Sequence, residues 1–326
     1  MPTPIPADDA GIARAITLLA QGGLVAFPTE TVYGLGADAT NEPAVRRIFS
    51  AKGRPADHPL IVHLADVAQL PDWALDVPPA AAALAKRFWP GALTLILRRA
   101  PRVLDVVTGG QDTVGLRIPS HPVAMRLLAG FARGVAAPSA NRFGRVSPTT
   151  AAHVAADLGD DVDLILDGGA TDVGIESTII DCSRGRPVLL RPGGISVDRI
   201  EAALGQSIGQ RDADAPRVSG SLASHYAPLT PVSLVASDAL CRAVAAAADR
   251  GTVAVIARSQ ARPDELDRHR VHWCALPDEP ARYAHLLYAT LRRLDALGST
   301  LMIIEAPPPR VEWDGVADRL KRAAHR

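Results

Sequence analysis

Short apolar runs alternate with helix-length stretches through the first two-thirds of the chain. Runs of three to five apolar-rich residues have the length of strands, and the longer stretches between them repeat with a helical period. Asn41 can cap a helix that has Pro43 in its first turn, and Ser147 is placed to cap another. The pattern predicts a mixed α/β sheet without separating parallel from antiparallel pairs. The predicted strands are 24–27, 60–64, 93–97, 114–118, 135–137, 164–166, 178–181 and 188–191, and the predicted helices are 41–51, 122–129, 148–158 and 196–204.

The periodic pattern stops between Gly205 and Pro228, where Gly, Ser, Asp, Gln and Pro are frequent, as in linkers. Strand and helix patterns then resume in an order that predicts a small domain with a parallel sheet. We therefore divide the chain into residues 1–204, a linker at 205–228, and a C-terminal α/β domain at 229–326. The C-terminal pattern gives strands at 232–236, 252–257 and 301–304 and helices at 239–248, 281–297 and 316–324.

Composition narrows the function without identifying it. The 326 residues are 48% hydrophobic and 21% charged, which is typical of globular proteins. There are 35 basic residues (Lys and Arg) and 35 acidic residues (Asp and Glu), so the formal net charge is zero, and aromatic residues make up 4%. Neither bulk attraction to nucleic acid nor a base-stacking surface is therefore expected. Three widely spaced cysteines fit no zinc motif or disulfide framework, and no signal peptide or apolar span is visible, so we expect a cytoplasmic protein with no membrane contact.

Two arginines and a histidine lie inside predicted strands. Arg117, Arg191 and His63 each alternate with apolar neighbours, so each side chain points away from the apolar face. A buried arginine is costly without a partner. Each arginine either lies on a solvated face, pairs with a structural carboxylate, or binds an anionic ligand, for which its guanidinium is well suited. The strands alone leave these alternatives open.

Several loops after predicted strands carry polar groups suited to an anion. The segment 28–36 (PTETVYGLG) offers hydroxyls and glycine amides, and Lys52-Gly53-Arg54 places two cations at the end of a helix. Segments 137–141 and 147–149 add hydroxyls and free N–H groups, although such residues also serve as ordinary turns and caps. No phosphate-binding P-loop and no locally encoded Ser-His-Asp or Cys-His pair is present. The inventory favours electrostatic positioning over a covalent nucleophile.

Taken together, these segments resemble the YrdC-type threonylcarbamoyl-AMP synthases in their long, two-domain form. The resemblance covers roughly residues 12–204 and implies a twisted mixed sheet with flanking helices, followed by a smaller Rossmann-like α/β domain. It implies synthesis of L-threonylcarbamoyl-AMP and pyrophosphate from L-threonine, bicarbonate and ATP. The segments that carry it are PTETVYGLG (28–36), AKGRPADHPLIVH (51–63), WPGALTLIL (89–97), DTVGLRIPSHP (112–122), AAPSANRFGRVSPT (136–149), GIESTIID (174–181), VLLRPGGIS (188–196) and SHYAP (224–228).

The same resemblance implies roles for individual residues, with Arg117 facing the threonine carboxylate. His58 departs from the family, where Asn is frequent. Mg²⁺ would accompany ATP, and the product would pass to a tRNA threonylcarbamoyl transferase that modifies adenosine beside the anticodon. The implied threonine contacts are Thr31, His63, Arg117, Ala137 and Ser177. The implied ATP contacts are Lys52, Arg54, His58, Thr113, Ser139, Asn141, Ser147, Arg191 and Tyr226.

Two other functions remain open. A carbamoyl-transfer module, like the related domain of hydrogenase-maturation proteins, should carry Cys clusters and an acylphosphatase-like segment, which this sequence lacks. An RNA-binding module is disfavoured by the balanced charge and scarce aromatics, but weak contact with tRNA or duplex RNA is compatible with them.

Overall fold

The computed structural model describes residues 3–222 and 224–325, which form two compact units. The first unit runs to Phe143 and resumes from Ser147 to Ser221, and the second contains Gly144–Val146 and the chain from Leu222 onward. The boundary near Ser221 lies inside the segment predicted as a linker, so residues 205–221 belong to the first unit. None of the described helices is both long and apolar enough to cross a membrane.

The first unit is built on one mixed sheet of 11 strands with helices packed around it. The strands are β1 (Ile5–Pro6), β2 (Val25–Phe27), β3 (Gly34–Asp38), β4 (Ile61–His63), β5 (Leu93–Arg98), β6 (Thr113–Arg117), β7 (Val135–Ala136), β8 (Leu164–Asp167), β9 (Thr178–Asp181), β10 (Val188–Arg191) and β11 (Gly209–Gln210). The helices are α1 (Asp9–Ala20), α2 (Glu42–Lys52), α3 (Leu70–Trp73), α4 (Pro79–Phe88), α5 (Asp105–Thr108), α6 (Pro122–Phe131), α7 (Ala151–Leu158) and α8 (Val197–Leu204).

Strand order in this sheet is β1-β8-β2-β3-β7-β4-β6-β5-β9-β10-β11. The pair β4·β6 is parallel, whereas β5·β6 and β4·β7 are antiparallel, so the predicted mixed sheet is confirmed. Neighbours in the sheet are often distant in sequence. Loops from many parts of the chain therefore meet beside β4, β6 and β9.

The capping contacts show that the predicted start of α2 is correct and that the predicted start of α7 is wrong. Asn41 caps α2 as predicted, because its side chain accepts a hydrogen bond from the Ala44 N–H at 3.2 Å. Ser147 does not cap a helix: α7 begins at Ala151, with Thr150 accepting from the His153 N–H. The Pro148 carbonyl instead accepts from the Tyr33 N–H at 2.9 Å, so this stretch is held by a neighbouring strand segment.

The sequence pattern does not predict strand β3, because glycines interrupt the alternation that marks a strand. Its central residue, Gly36, lies against β2 and β7, and a Cβ atom there would sit 2.7 Å from Phe27 and 2.8 Å from Val135. The close packing of three strands therefore requires glycine at a position where propensity disfavours a strand.

The two faces of the central strands have different environments. On β5, Leu93, Leu95 and Leu97 point into the main apolar core, while Thr94 and Ile96 point to the opposite face. Ile96 packs there in a separate small apolar cluster that includes Val218. We call residues 215–219 the covering segment, because they lie over this second face, which also carries the candidate site.

The second unit contains a parallel four-stranded sheet in the order β12-β15-β13-β14, as its sequence pattern predicted. The sequence pattern missed β14, whose residues are mostly half-buried and include His272 and Trp273. The elements are β12 (Val232–Val235), α9 (Leu240–Ala248), β13 (Val253–Ala257), β14 (Val271–Ala275), α10 (Pro280–Asp295), β15 (Leu301–Glu305) and α11 (Asp314–Ala324).

Candidate active site

A buried ion pair lies at the end of β6. The guanidinium of Arg117 donates through Nη2 to Glu30 Oε1 at 2.6 Å and through Nε to the Gly91 carbonyl at 3.2 Å. The second oxygen of Glu30 accepts from the Ser120 N–H at 3.0 Å. The sequence left open whether Arg117 pairs with a carboxylate, and the structure shows that it pairs with Glu30. Glu30 lies 87 residues away in sequence within the 28–36 segment, and strand patterning gave no signal for it.

His63 stands beside Arg117 on the same sheet face, because the two residues are partners in the parallel β4·β6 register. Its ring lies edge-on to Phe27. Burial, followed by repulsion from Arg117, lowers the pKa of His63 from 6.5 to about 3. The imidazole is therefore neutral at physiological pH. Its Nδ1 atom is buried and has no hydrogen-bond partner among the described residues.

The depressed pKa of His63 predicts acid-sensitive folding. Below its ordinary pKa of 6.5 the unfolded chain binds a proton that the buried ring does not, so stability present above that pH is lost as pH falls. We expect the free energy of unfolding to drop by about 2 kcal/mol between pH 7 and pH 5 through this group. Urea unfolding should show that His63→Gln lacks this part of the pH dependence. The same pH dependence in both proteins would contradict it.

Hydroxyl and backbone groups of two loops lie next to this pair. Thr31 Oγ1 shares a hydrogen bond of 2.8 Å with Thr29 Oγ1. Ala137 donates its N–H to the Ile61 carbonyl at 2.9 Å, which joins the 137–141 loop to β4. The predicted threonine contacts Thr31, His63, Arg117 and Ala137 therefore lie at the ends of neighbouring strands.

Lys52 fixes the 137–141 loop from the end of α2. Its buried ammonium donates to the carbonyls of Ser139 at 2.6 Å and Asn141 at 2.5 Å. Burial, then repulsion from Arg54, lowers the pKa of Lys52 well below its ordinary value. The structure thus brings together three of the residues predicted to contact ATP. It shows Lys52 holding backbone carbonyls, and its predicted contact with phosphate stays a prediction.

Two further arginines converge on one serine of the covering segment. Arg54 donates through Nη2 to Ser219 Oγ at 3.1 Å, and Arg191 donates through Nη1 to the Ser219 carbonyl at 2.8 Å. Ser219 is 165 residues from Arg54, and the sequence analysis did not identify it. Composition marked this stretch only as a linker. A phosphate would meet two guanidinium groups at this place.

Arg191 also connects this junction to Arg117. Its Nη2 donates to the Ser177 carbonyl at 2.9 Å and to Ser177 Oγ at 3.2 Å. Ser177 Oγ shares a hydrogen bond of 2.8 Å with Thr94 on β5, close to Gly91, the acceptor for Arg117. Hydrogen bonds thus join Arg54, Ser219, Arg191, Ser177 and Thr94 in one polar network. Arg117 lies beyond its Thr94 end, because it binds the carbonyl of Gly91, three residues before Thr94 in sequence.

Three of the remaining predicted ATP contacts, Ser147, Thr113 and His58, lie around the network in the first unit. The fourth, Tyr226, lies in the second unit. Ser147 donates from its Oγ to Glu176 at 2.6 Å, and Thr113 lines a small cavity with Pro59 and Ser219. The His58 ring lies edge-on to Phe143, and burial, then repulsion from Arg54, lowers the His58 pKa.

Tyr226 belongs to the second unit, where its backbone adopts a positive φ of 61°. Its ring stacks on Tyr288 and lies beneath the guanidinium of Arg319, with 5.1 Å between that group and the ring centroid. Its predicted contact with ATP stays a prediction.

The described carboxylates of the first unit form no metal cage, and two buried ones are engaged by neighbouring side chains. Among residues 3–222 and 224–325, no three His, Cys, Asp or Glu side chains are grouped to hold an ion. Glu30 is engaged by Arg117, and Glu176 accepts from Ser147. The predicted Mg²⁺ stays a prediction.

Comparison with known proteins agrees with the fold and the motif order. The Sua5/YciO/YrdC family model, described as telomere recombination, matches residues 17–193. A second model, described as threonylcarbamoyl-AMP synthase, C-terminal domain, matches residues 195–325. Both domains of the resemblance drawn from the sequence are thereby confirmed.

Individual relatives extend over most of the chain. A threonylcarbamoyl-AMP synthase of Pyrococcus abyssi is 41% identical over 325 residues, covering 96% of this chain and 94% of its own length. One of Bacillus subtilis is 50% identical over 232 residues, covering 70% of this chain and 67% of its own. The crystal structure of P. abyssi Sua5 complexed with L-threonine has a TM-score of 0.88 at 40% identity, covering 96% of this chain and 94% of that one. This chain belongs to the Sua5/YciO/YrdC family, in the form that also carries the C-terminal domain of threonylcarbamoyl-AMP synthases.

Proposed function

We propose that this chain is a threonylcarbamoyl-AMP synthase that joins L-threonine, bicarbonate and ATP and releases pyrophosphate. The observation that carries the proposal is the polar network that joins Arg54 and Arg191 at Ser219 and reaches Thr94, with Arg117 held on Gly91 at its Thr94 end. Two anionic reactants must be held side by side in this reaction, and charged donors in fixed positions lower the barrier to that encounter. The relatives named as this synthase support the same reaction.

The reaction divides between the two ends of the network. At the Arg117 end, bicarbonate gives carbon dioxide and hydroxide, and the hydroxide takes one proton from the threonine ammonium to leave as water. The free amine then attacks the carbon dioxide and loses a second proton to solvent, which gives the carbamate. At the Arg54 and Arg191 end, the guanidinium groups hold the triphosphate. A carbamate oxygen attacks the α-phosphorus, the bond from that phosphorus to the bridging oxygen breaks, and pyrophosphate leaves. The protein contributes position and positive charge, without a covalent intermediate.

Mg²⁺ enters the proposal as a companion of ATP that neutralises phosphate charge. Lys52, with Ser139 and Asn141, would shape the wall beside the phosphates. We also propose that the product is consumed by a transferase acting on tRNA and that the chain works with that partner in the cytoplasm. Weak direct contact with RNA remains compatible with the balanced charge of the chain.

Pyrophosphate release tests the proposal directly. The full chain should release pyrophosphate only when L-threonine, bicarbonate and ATP are all present, and mass spectrometry should detect threonylcarbamoyl-AMP. Replacing L-threonine with other amino acids measures specificity. Release that is independent of any amino acid would contradict the proposal, as would duplex-RNA binding by a chain that does not turn over ATP.

A further inference from the structure

The Arg117–Glu30 pair is buried, yet each partner keeps hydrogen-bonding capacity. Arg117 is 4% exposed and Glu30 is 5% exposed. Only Nε–H and one Nη2–H of Arg117 are used within the described residues, so both Nη1 hydrogens remain for a ligand. Each Glu30 oxygen accepts one hydrogen bond and can accept another. Buried ion pairs are costly unless such capacity is satisfied, so the pair is suited to a ligand.

Two histidines near this pair both have lowered pKa values. Burial and Arg117 keep His63 neutral, as described above. His121 lies on the other side, at the start of α6, and burial lowers its pKa despite the opposing effects of Asp172 and Glu30. The Arg117 cation and the Glu30 anion therefore lie side by side in a buried environment that screens charge poorly.

We propose that the pair recognises the zwitterion of the amino acid: Arg117 binds the α-carboxylate and Glu30 accepts hydrogen bonds from the α-ammonium. The inference deepens the proposed function and rests on it, because it adds Glu30 to the substrate contacts of the same site. Each ligand charge would face a protein group of opposite charge. Charge-assisted hydrogen bonds of this kind are short and strong.

This arrangement has a consequence for selectivity. A carboxylic acid without an ammonium would place its anion beside an unsatisfied Glu30, and an amine without a carboxylate would leave Arg117 facing a cation. Both analogues of threonine should therefore bind weakly. For the carbamate to form, the ammonium first loses a proton to the hydroxide released when bicarbonate gives carbon dioxide, and the nitrogen loses a second proton to solvent after it attacks the carbon. Glu30 then repels the new negative charge, which favours movement of the carbamate toward the cationic end of the network.

The test uses three ligands without ATP and full-length variants. L-Threonine carries both charges, (R)-3-hydroxybutanoate lacks the ammonium, and L-threoninamide lacks the carboxylate. In the wild type, both analogues should bind roughly 10- to 100-fold more weakly than L-threonine by calorimetry or ligand-observed NMR. Glu30→Gln should weaken L-threonine and L-threoninamide by a similar factor while leaving (R)-3-hydroxybutanoate equal or tighter. Glu30→Asp, which keeps the charge, should recover part of the affinity.

Glu42→Gln is the matched control, because Glu42 is an exposed residue of α2 that pairs only at the surface with Arg46. It should leave all three affinities unchanged. Equal weakening of all ligands by Glu30→Gln would mean that Glu30 merely holds Arg117, and unchanged threonine affinity would also overturn the inference. If Glu30→Gln does not fold, the wild type still provides a test. Equal wild-type affinity for L-threonine and (R)-3-hydroxybutanoate would overturn the inference. Threonine binding without pyrophosphate release would count against the proposed function alone.

Discussion

Arg117→Ala should lower kcat/KM for L-threonine by about 100- to 1,000-fold, the loss expected when one charge-assisted donor is removed from a desolvated site. The guanidinium is held by Glu30 and by the Gly91 carbonyl, so its free Nη1 edge has a fixed direction. The nearest predicted ATP contacts belong to other strands and loops. Pyrophosphate release measured against threonine concentration should therefore change far more than nucleotide affinity measured alone. An unchanged dependence on threonine would show that Arg117 does not bind the amino acid.

The same substitution should also destabilise the fold, and a second variant separates the two effects. Removing Arg117 leaves the Glu30 carboxylate buried without its cation, which costs about 3–5 kcal/mol. The double variant Arg117→Met with Glu30→Leu replaces both charges with apolar groups and should recover most of that loss in urea unfolding. Its threonine-dependent activity should stay low. Recovered activity in the double variant would contradict a substrate contact.

Arg191→Ala should raise the KM for ATP about 100-fold at saturating threonine, because it removes one of two guanidinium groups that meet at Ser219. Some loss of threonine affinity will accompany it, since Arg191 also holds Ser177. The loss for ATP should be the larger of the two. Steady-state pyrophosphate release with each substrate varied in turn measures both.

Arg186→Ala provides the control for that experiment. Arg186 lies just before β10 and is exposed, with its guanidinium directed to Ser207 rather than to the network. Its removal should leave both KM values unchanged. An Arg191→Ala enzyme with the wild-type dependence on ATP would show that the phosphates bind elsewhere.

The sequence predicted the strands that carry the site better than the contacts within it. Period-two alternation placed His63 and Arg117 on the face opposite the apolar core, and the parallel register of β4 and β6 does bring them side by side. The partner of Arg117 could not be read from the pattern, because Glu30 reaches it across 87 residues through strand order rather than spacing. Local propensity also failed at Gly36, where close packing overrides it.

The loops show the same limit in a different way. Ser147 has the chemistry of a helix cap, but its hydroxyl donates to Glu176, a contact that only the folded sheet creates. Ser219 lies in a stretch whose composition is typical of a linker, although the covering segment packs Val218 against the sheet and joins Arg54 to Arg191. The motif order nevertheless identified the family, because each segment was recognisable without its partners.

The most direct test of the account is a crystal structure of the full chain with L-threonine and a non-hydrolysable ATP analogue. We predict the threonine carboxylate within hydrogen-bond distance of Arg117 Nη1 and its ammonium beside Glu30. The phosphates should contact Arg54 and Arg191 on the same face of the sheet. Ligands bound at saturating concentration away from these arginines, or on separate surfaces, would contradict it.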